Sequence, residues 1–185
     1  MGVAIADAAA EAGADVVLVL GPVNIMPEHK NIKVIHVVSA SEMAEACISI
    51  FPSCNITVLA AAVADFTPES VSTVKIKKTK GEMIIRLKPT TDIASELGKN
   101  KKAGQLITGF ALETDNELEN AIDKLKRKNM DLIVLNSLRD KGAGFGHETN
   151  LITIIDKYNN IDKFGLKSKG EAAKDIIDKI VSMSK

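Results

Sequence analysis

Asn55-Ile-Thr-Val-Leu-Ala-Ala-Ala-Val-Ala-Asp65 is a short β-branched run that passes into small residues and ends in a carboxylate. Such a run, set between helical patterns, reads as one strand of a parallel sheet covered by helices. Working outward, further strands are predicted at 15–20, 33–38, 105–110, 131–136 and 150–156, with helices between them. Ser39 with Glu42, Thr114 with Glu117 and Ser168 with Glu171 have the capping-box spacing, which predicts helix starts near 40, 115 and 169. The opening stretch Val3 to Ala12 is helical by composition and is closed by Gly13, the residue type that ends helices most readily. A strand is expected before it, and the first strand-to-helix turn of an open α/β sheet usually carries phosphate-binding glycines.

One segment breaks the alternation. Val74-Lys-Ile-Lys-Lys78 and Met83-Ile-Ile-Arg-Leu-Lys88 flank a turn-like Thr79-Lys-Gly-Glu82, so a β-hairpin arm is predicted at about 71–88, outside the parallel sheet. The chain of 185 residues, 45% apolar, is enough for one domain over 1–185. Its 24 basic and 24 acidic groups balance, which argues against a surface that neutralises a long run of phosphates, and no nucleic-acid partner is expected. The apolar runs are too short to cross a bilayer and no leader pattern opens the chain, so a cytosolic protein without a membrane partner is expected. Cys47 and Cys54 lack metal-ligand spacing and read as reduced structural thiols. His29, His36 and His147 form no triad or metal pattern.

Several residues can carry chemistry. Ala60, Ala61 and Ala62 let a ligand approach the backbone at the carboxyl edge of the sheet, where α/β folds bind ligands. Asp65 can hold a hydroxyl, a cation or a magnesium-bound water, or equally cap a turn. Lys75 and Lys77 share one face of the predicted arm and can reach a polyphosphate, or simply defend an edge strand. Lys124 and Lys128 lie one helical turn apart beside the apolar stripe, where they can grip one anion or be a solvated flank, while Arg127 points away. Phe110 stands where a base could stack, or is core. Gly142-Ala-Gly-Phe-Gly146 precedes a strand-like run and is read as a loop, not a dinucleotide fingerprint.

Taken in order, Gly13 to Pro22, Ala61 to Asp65, Lys75 to Lys78, Thr91-Asp-Ile93, Gly109 to Thr114 and Lys128 to Ile133 resemble the phosphopantothenoylcysteine synthetase family. That resemblance implies a Rossmann-like three-layer α/β fold with a mostly parallel sheet and a hairpin dimerisation arm. It implies CTP-dependent ligation of 4′-phosphopantothenate with cysteine, aided by Mg²⁺, in coenzyme A biosynthesis, with metal ligands unassigned. It places Ala60, Ala61, Asp65, Lys75, Thr91, Asp92, Ile93, Ala94, Phe110, Lys124 and Lys128 at nucleotide contacts, Ala61 and Ala62 at the acid substrate, and Lys75 at the transition state. It further implies a homodimer and a fused or associated flavin-dependent decarboxylase. Thr91 stands where the family often has Pro, and Leu59 replaces a smaller residue. Only Met1 and Gly2 match the end of the family's amino-terminal glycine-rich segment, so poor turnover by this chain alone is expected. A Rossmann-type NAD(P) or nucleotide-sugar enzyme, and a non-catalytic dimerisation module, are the competing readings.

Overall fold

The computed structural model describes residues 1–78, 81–113, 115–137 and 149–184. Its centre is a five-stranded sheet in the order Ile161–Lys163 (β10), Ile152–Asp156 (β9), Leu132–Ser137 (β7), Leu106–Glu113 (β6) and Ile56–Leu59 (β3). β3, β6 and β7 run parallel, and β9 and β10 complete the sheet with antiparallel pairings. Val17–Leu20 (β1) and Lys33–His36 (β2) form a separate parallel pair. The expected α/β architecture is therefore present, with its parallel strands set in a mixed sheet.

The sheet is buried on both faces, and the two-residue period of β7 shows how. Ile133 and Leu135 enter one apolar cluster with Ala44 of Ala40–Ile50 (α2), Ile93 and Leu97 of Ile93–Lys99 (α3), and Ala121 and Leu125 of Glu117–Arg127 (α4). Leu132 and Val134 enter a second cluster with Ile5 and Ala8 of Gly2–Glu11 (α1), and Ile176 and Ile180 of Lys169–Met183 (α5). Successive side chains on a strand point to opposite faces, so a run with no polar alternation is what a three-layer sandwich requires.

The ends of the helices follow the sequence signals closely. Ser168 and Glu171 form the full capping box of α5. Ser39 accepts the Glu42 N–H, but the Glu42 carboxylate accepts the N–H of Val38, one residue outside the box. α4 starts at Glu117 behind Asn116, and the expected cap Thr114 lies outside the described residues. Gly13 adopts φ 91°, the left-handed conformation that closes α1.

The arm differs from expectation. The antiparallel ladder lies at its base, pairing Phe66–Pro68 (β4) with Leu87–Pro89 (β5). Among the described residues, 74–78 and 83–86 belong to no strand. Alternating Val, Ile and Lys satisfied a strand pattern, but those side chains are exposed and have no sheet face to bury. The pairing forms instead where the chain leaves the domain: Glu69 N–H donates to Arg86 C=O and Thr90 N–H to Asp65 C=O. The edge strand β10 and the short Lys167–Ser168 (β11) were not anticipated, and the expected strand at 150–156 is broken at Leu151: its first part, Thr149–Asn150 (β8), pairs with β11, which leads into α5.

At the amino edge of the parallel strands, the side chain of Asp131 is 2% exposed and pairs with Lys101 at 3.0 Å and Lys157 at 2.9 Å. Its Oδ2 also accepts the Ile107 N–H at 2.9 Å, while the Asp131 N–H donates to Ile107 C=O. This one carboxylate ties the start of β6 to the start of β7 and to the turn after β9.

Candidate functional site

The register of the parallel strands determines which residues meet at the opposite, carboxyl edge. β3 stops at Leu59, opposite Gly109, while β6 continues to Glu113. Ala60 thus leaves the sheet next to Phe110, and Ala61 and Ala62 follow it exposed. The amino end of α1 reaches the same edge: a Cβ added to Gly2 would stand 3.7 Å from the Cβ of Ala60.

The segment after β3 is tethered to the segment that opens α3. Thr90 donates its hydroxyl to Ala64 C=O at 2.6 Å and its N–H to Asp65 C=O at 2.9 Å. Asp65 is exposed, and Thr91 to Ala94 follow directly. Asp92 caps α3 by accepting the Ser95 N–H and hydroxyl at 3.1 and 2.8 Å, as expected for Asp at this position.

α4 brings two cations to this edge. Lys124 is half-buried, and its ammonium donates to Phe110 C=O at 2.9 Å. Lys128, whose side chain is 15% exposed, pairs with Asp92 at 2.9 Å. Burial pushes the Lys124 ammonium below the ordinary lysine value, and the neighbouring charge of Lys128 pushes it further. For Asp92, burial favours the neutral acid, but hydrogen bonds from Lys128 and Ser95 outweigh it and lower the pKa to about 2. Two lysines one turn apart, facing the carboxylates of Asp92 and Glu113, offer a polyanion two ammonium groups that it can bind by displacing or sharing Asp92.

The position of this lysine pair is enforced by close packing. A Cβ on Gly98 would collide with the backbone carbonyl of Lys128, so α3 and the end of α4 touch where only glycine fits. Asn129, at φ 50°, turns the chain there and donates its amide to Gly98 C=O at 2.8 Å.

The structure therefore brings together Ala60, Ala61, Ala62, Asp65, Thr91 to Ala94, Phe110, Lys124 and Lys128. Lys75 is different: it is exposed on the arm, and no described bond ties it to the others. The ring of Phe110 is half-buried against the cluster under α1 and α5, so part of it is core. Lys77 and Lys78 are exposed, whereas Lys80, Thr114, His147 and the stretch 142–146 lie outside the described residues. Reading the sequence assigned Asp92 only by resemblance. Its position immediately before Ile-Ala-Ser-Glu-Leu is a helix-start signal that could have placed it, though not its pairing with Lys128, 36 residues away.

No group of three or more His, Cys, Asp or Glu that could hold a metal ion occurs among the described residues. No helix among them is long and apolar enough to cross a membrane.

Comparison with known proteins gives a consistent family. A model described as the DNA/pantothenate metabolism flavoprotein C-terminal domain matches residues 1–183. A relative named cysteine/cysteine sulfinic acid decarboxylase, from an unknown prokaryotic organism, is 65% identical over 183 residues, covering 99% of this chain and 51% of that protein. The coenzyme A biosynthesis bifunctional protein CoaBC of Bacillus subtilis (strain 168) is 42% identical over 185 residues, covering 100% of this chain and 45% of that protein. The crystal structure of the C-terminal domain of a coenzyme A biosynthesis bifunctional protein CoaBC superposes with a TM-score of 0.82 at 34% identity, covering 98% of this chain and 81% of that one. The chain spans about half the length of the curated relatives it matches.

Proposed function

Because the chain belongs to the DNA/pantothenate metabolism flavoprotein C-terminal domain family, we propose that it carries the ligation step of coenzyme A biosynthesis, joining 4′-phosphopantothenate to cysteine at the expense of CTP. The acid's carboxylate oxygen attacks the α-phosphorus of CTP, forming an acyl-cytidylate and expelling pyrophosphate. The amine of cysteine then attacks the acyl carbon, expelling CMP and losing a proton as the amide forms. Both steps depend on alignment and on neutralising phosphate charge.

The observation that carries this reading is the convergence of Lys124, Lys128 and the Thr91 to Ala94 turn at the carboxyl edge next to Ala60 and Ala61. In the proposal the lysines bind the triphosphate, and the exposed alanines let the acid approach the backbone beside it. Asp65 faces the nucleotide side. Mg²⁺ arrives on the triphosphate, which needs few protein ligands of its own. Lys75 enters from the arm of a second copy in a homodimer, which accounts for the lack of a described bond between it and the other residues. A flavin-dependent decarboxylase fused to or associated with this domain would take the product.

The test is pyrophosphate release with CTP, Mg²⁺ and cysteine present and 4′-phosphopantothenate added last. Release that depends on the acid, and falls with Lys75→Ala, supports the reading. Binding of NADPH in place of CTP, with no acid-dependent release, would overturn it.

One observation favours a second reading. The 65% identical relative is named for a decarboxylase, so this domain could serve a decarboxylating partner as a non-catalytic dimerisation module. Dimerisation without nucleotide binding would support that reading over ligation.

A further inference from the structure

Two side-chain carboxamide oxygens at the carboxyl edge are buried without a hydrogen-bond partner. The Oδ1 atoms of Asn136 and Asn150 have no hydrogen bond, and Asn150 is only 2% exposed. Buried polar groups are nearly always paired, so two orphans at one place call for an explanation. They are neighbours. Asn136 is the penultimate residue of β7 and pairs with Ile152 of β9. Asn150 precedes Ile152 by two residues, and the alternating burial of 149 to 152 keeps it on the same side.

That side is the face covered by α1 and α5. Val134, two residues before Asn136, and Ile152 both lie in the cluster beneath these helices, which also takes in Ala60 and Phe110. Asn150 is further fixed by the pairing of β8 with β11, which leads directly into α5. The described residues therefore divide the carboxyl edge by chemistry. The lysines Lys124 and Lys128 stand on the α4 side, whereas two neutral carboxamides stand on the α1 and α5 side, the face that also takes in Ala60.

We infer that Asn136 and Asn150 are specificity residues for the acid substrate, receiving its uncharged hydroxyl and amide groups while the lysines across the edge hold the nucleotide. A carboxamide both donates and accepts, so a pair of them matches a hydroxyl or amide better than it matches a phosphate. Leaving such groups unpaired when the wrong ligand binds is how a site rejects an analogue that lacks one hydroxyl. The inference rests on the ligase reading, because it takes the acid from that proposal.

The orphaned state also predicts an unusual signature. Replacing a side chain whose buried oxygen is unpaired by an apolar one of similar shape removes the desolvation cost of that oxygen. Asn136→Leu and Asn150→Leu should therefore melt no lower than wild type, yet lose function. The experiment is calorimetric titration of wild type and both variants with CTP, with 4′-phosphopantothenate, and with the analogue lacking its secondary hydroxyl, alongside thermal melts. The expected result is CTP affinity within about twofold of wild type, acid affinity reduced about tenfold or more, and loss of discrimination between acid and analogue. Wild-type acid affinity in both variants would overturn the inference, as would a lowered melting temperature with equal loss of both ligands, which marks a structural role. Should either leucine variant fail to fold, Asn→Ala at the same position provides the same comparison. Wild type that binds CTP but not the acid refutes this inference and leaves the nucleotide site standing. Wild type that binds neither refutes both.

Discussion

Asp131→Asn removes one negative charge from the amino edge of the sheet while keeping the shape of the side chain and an oxygen for the Ile107 N–H. The two lysines it abandons differ: the side chain of Lys157 is 40% exposed and can rehydrate, but that of Lys101 is only 13% exposed. Breaking a buried pair typically costs about 3–5 kcal/mol, and because Lys157 escapes to water the lower end, about 3 kcal/mol, applies. For a domain of this size that corresponds to a fall in melting temperature of roughly 6–12 °C. The pH dependence gives a second readout. Burial raises the Asp131 pKa, but the Ile107 N–H, Lys157 and Lys101 together hold it below the ordinary value. A carboxylate depressed in the folded state stabilises above its unfolded pKa of about 3.9 and loses that contribution as pH falls through its folded value. Wild type should therefore lose stability below about pH 4 more steeply than Asp131→Asn does. Urea and thermal melts from pH 7 to pH 2.5 measure both effects. A melting temperature within 2 °C of wild type at pH 7, or parallel acid limbs, would refute the reasoning.

Three further outcomes follow from the site. Lys124 carries a depressed pKa, so its charge opposes folding at neutral pH and that cost disappears as pH rises from its folded value toward 10.5; Lys124→Met should keep or raise thermal stability at pH 7 while weakening CTP binding about tenfold. Asp92 should titrate near 2 in a carboxyl NMR experiment and move back toward 3.8 in Lys128→Ala; an unmoved midpoint would show that Ser95 alone holds it. Gly98→Ala forces α3 away from the Lys128 carbonyl and should cost about 1–3 kcal/mol in urea melts, the range for overpacking a tight contact. A near-neutral effect would mean that the close approach is not needed.

The layers were legible because their signals are local and physical. A run such as Leu132-Ile-Val-Leu135, apolar at every position, can be buried on both faces only between helices, and Ser168 with Glu171 marks a helix start within four residues. A helical wheel placed Lys124 and Lys128 beside the packed stripe, and both are half-buried while Arg127 is exposed. The arm was misplaced because alternation records which side chains could share a face, not whether a sheet lies under them. Asp131 escaped notice because an acidic residue before a strand looks like a solvated turn, and its partners Lys101 and Lys157 lie 30 and 26 residues away. Asn136 and Asn150 were invisible for a related reason: an amide at a strand end reads as ordinary, and only the β7 to β9 register brings the two together.

The cation pair on α4 is the part of the account on which the rest depends, and titration of CTP with Mg²⁺ into wild type and a Lys124→Ala, Lys128→Ala double variant tests it most directly. The account predicts saturable binding by wild type that weakens at high salt and falls at least tenfold in a double variant that still melts cooperatively. Equal affinity in the two proteins would contradict it.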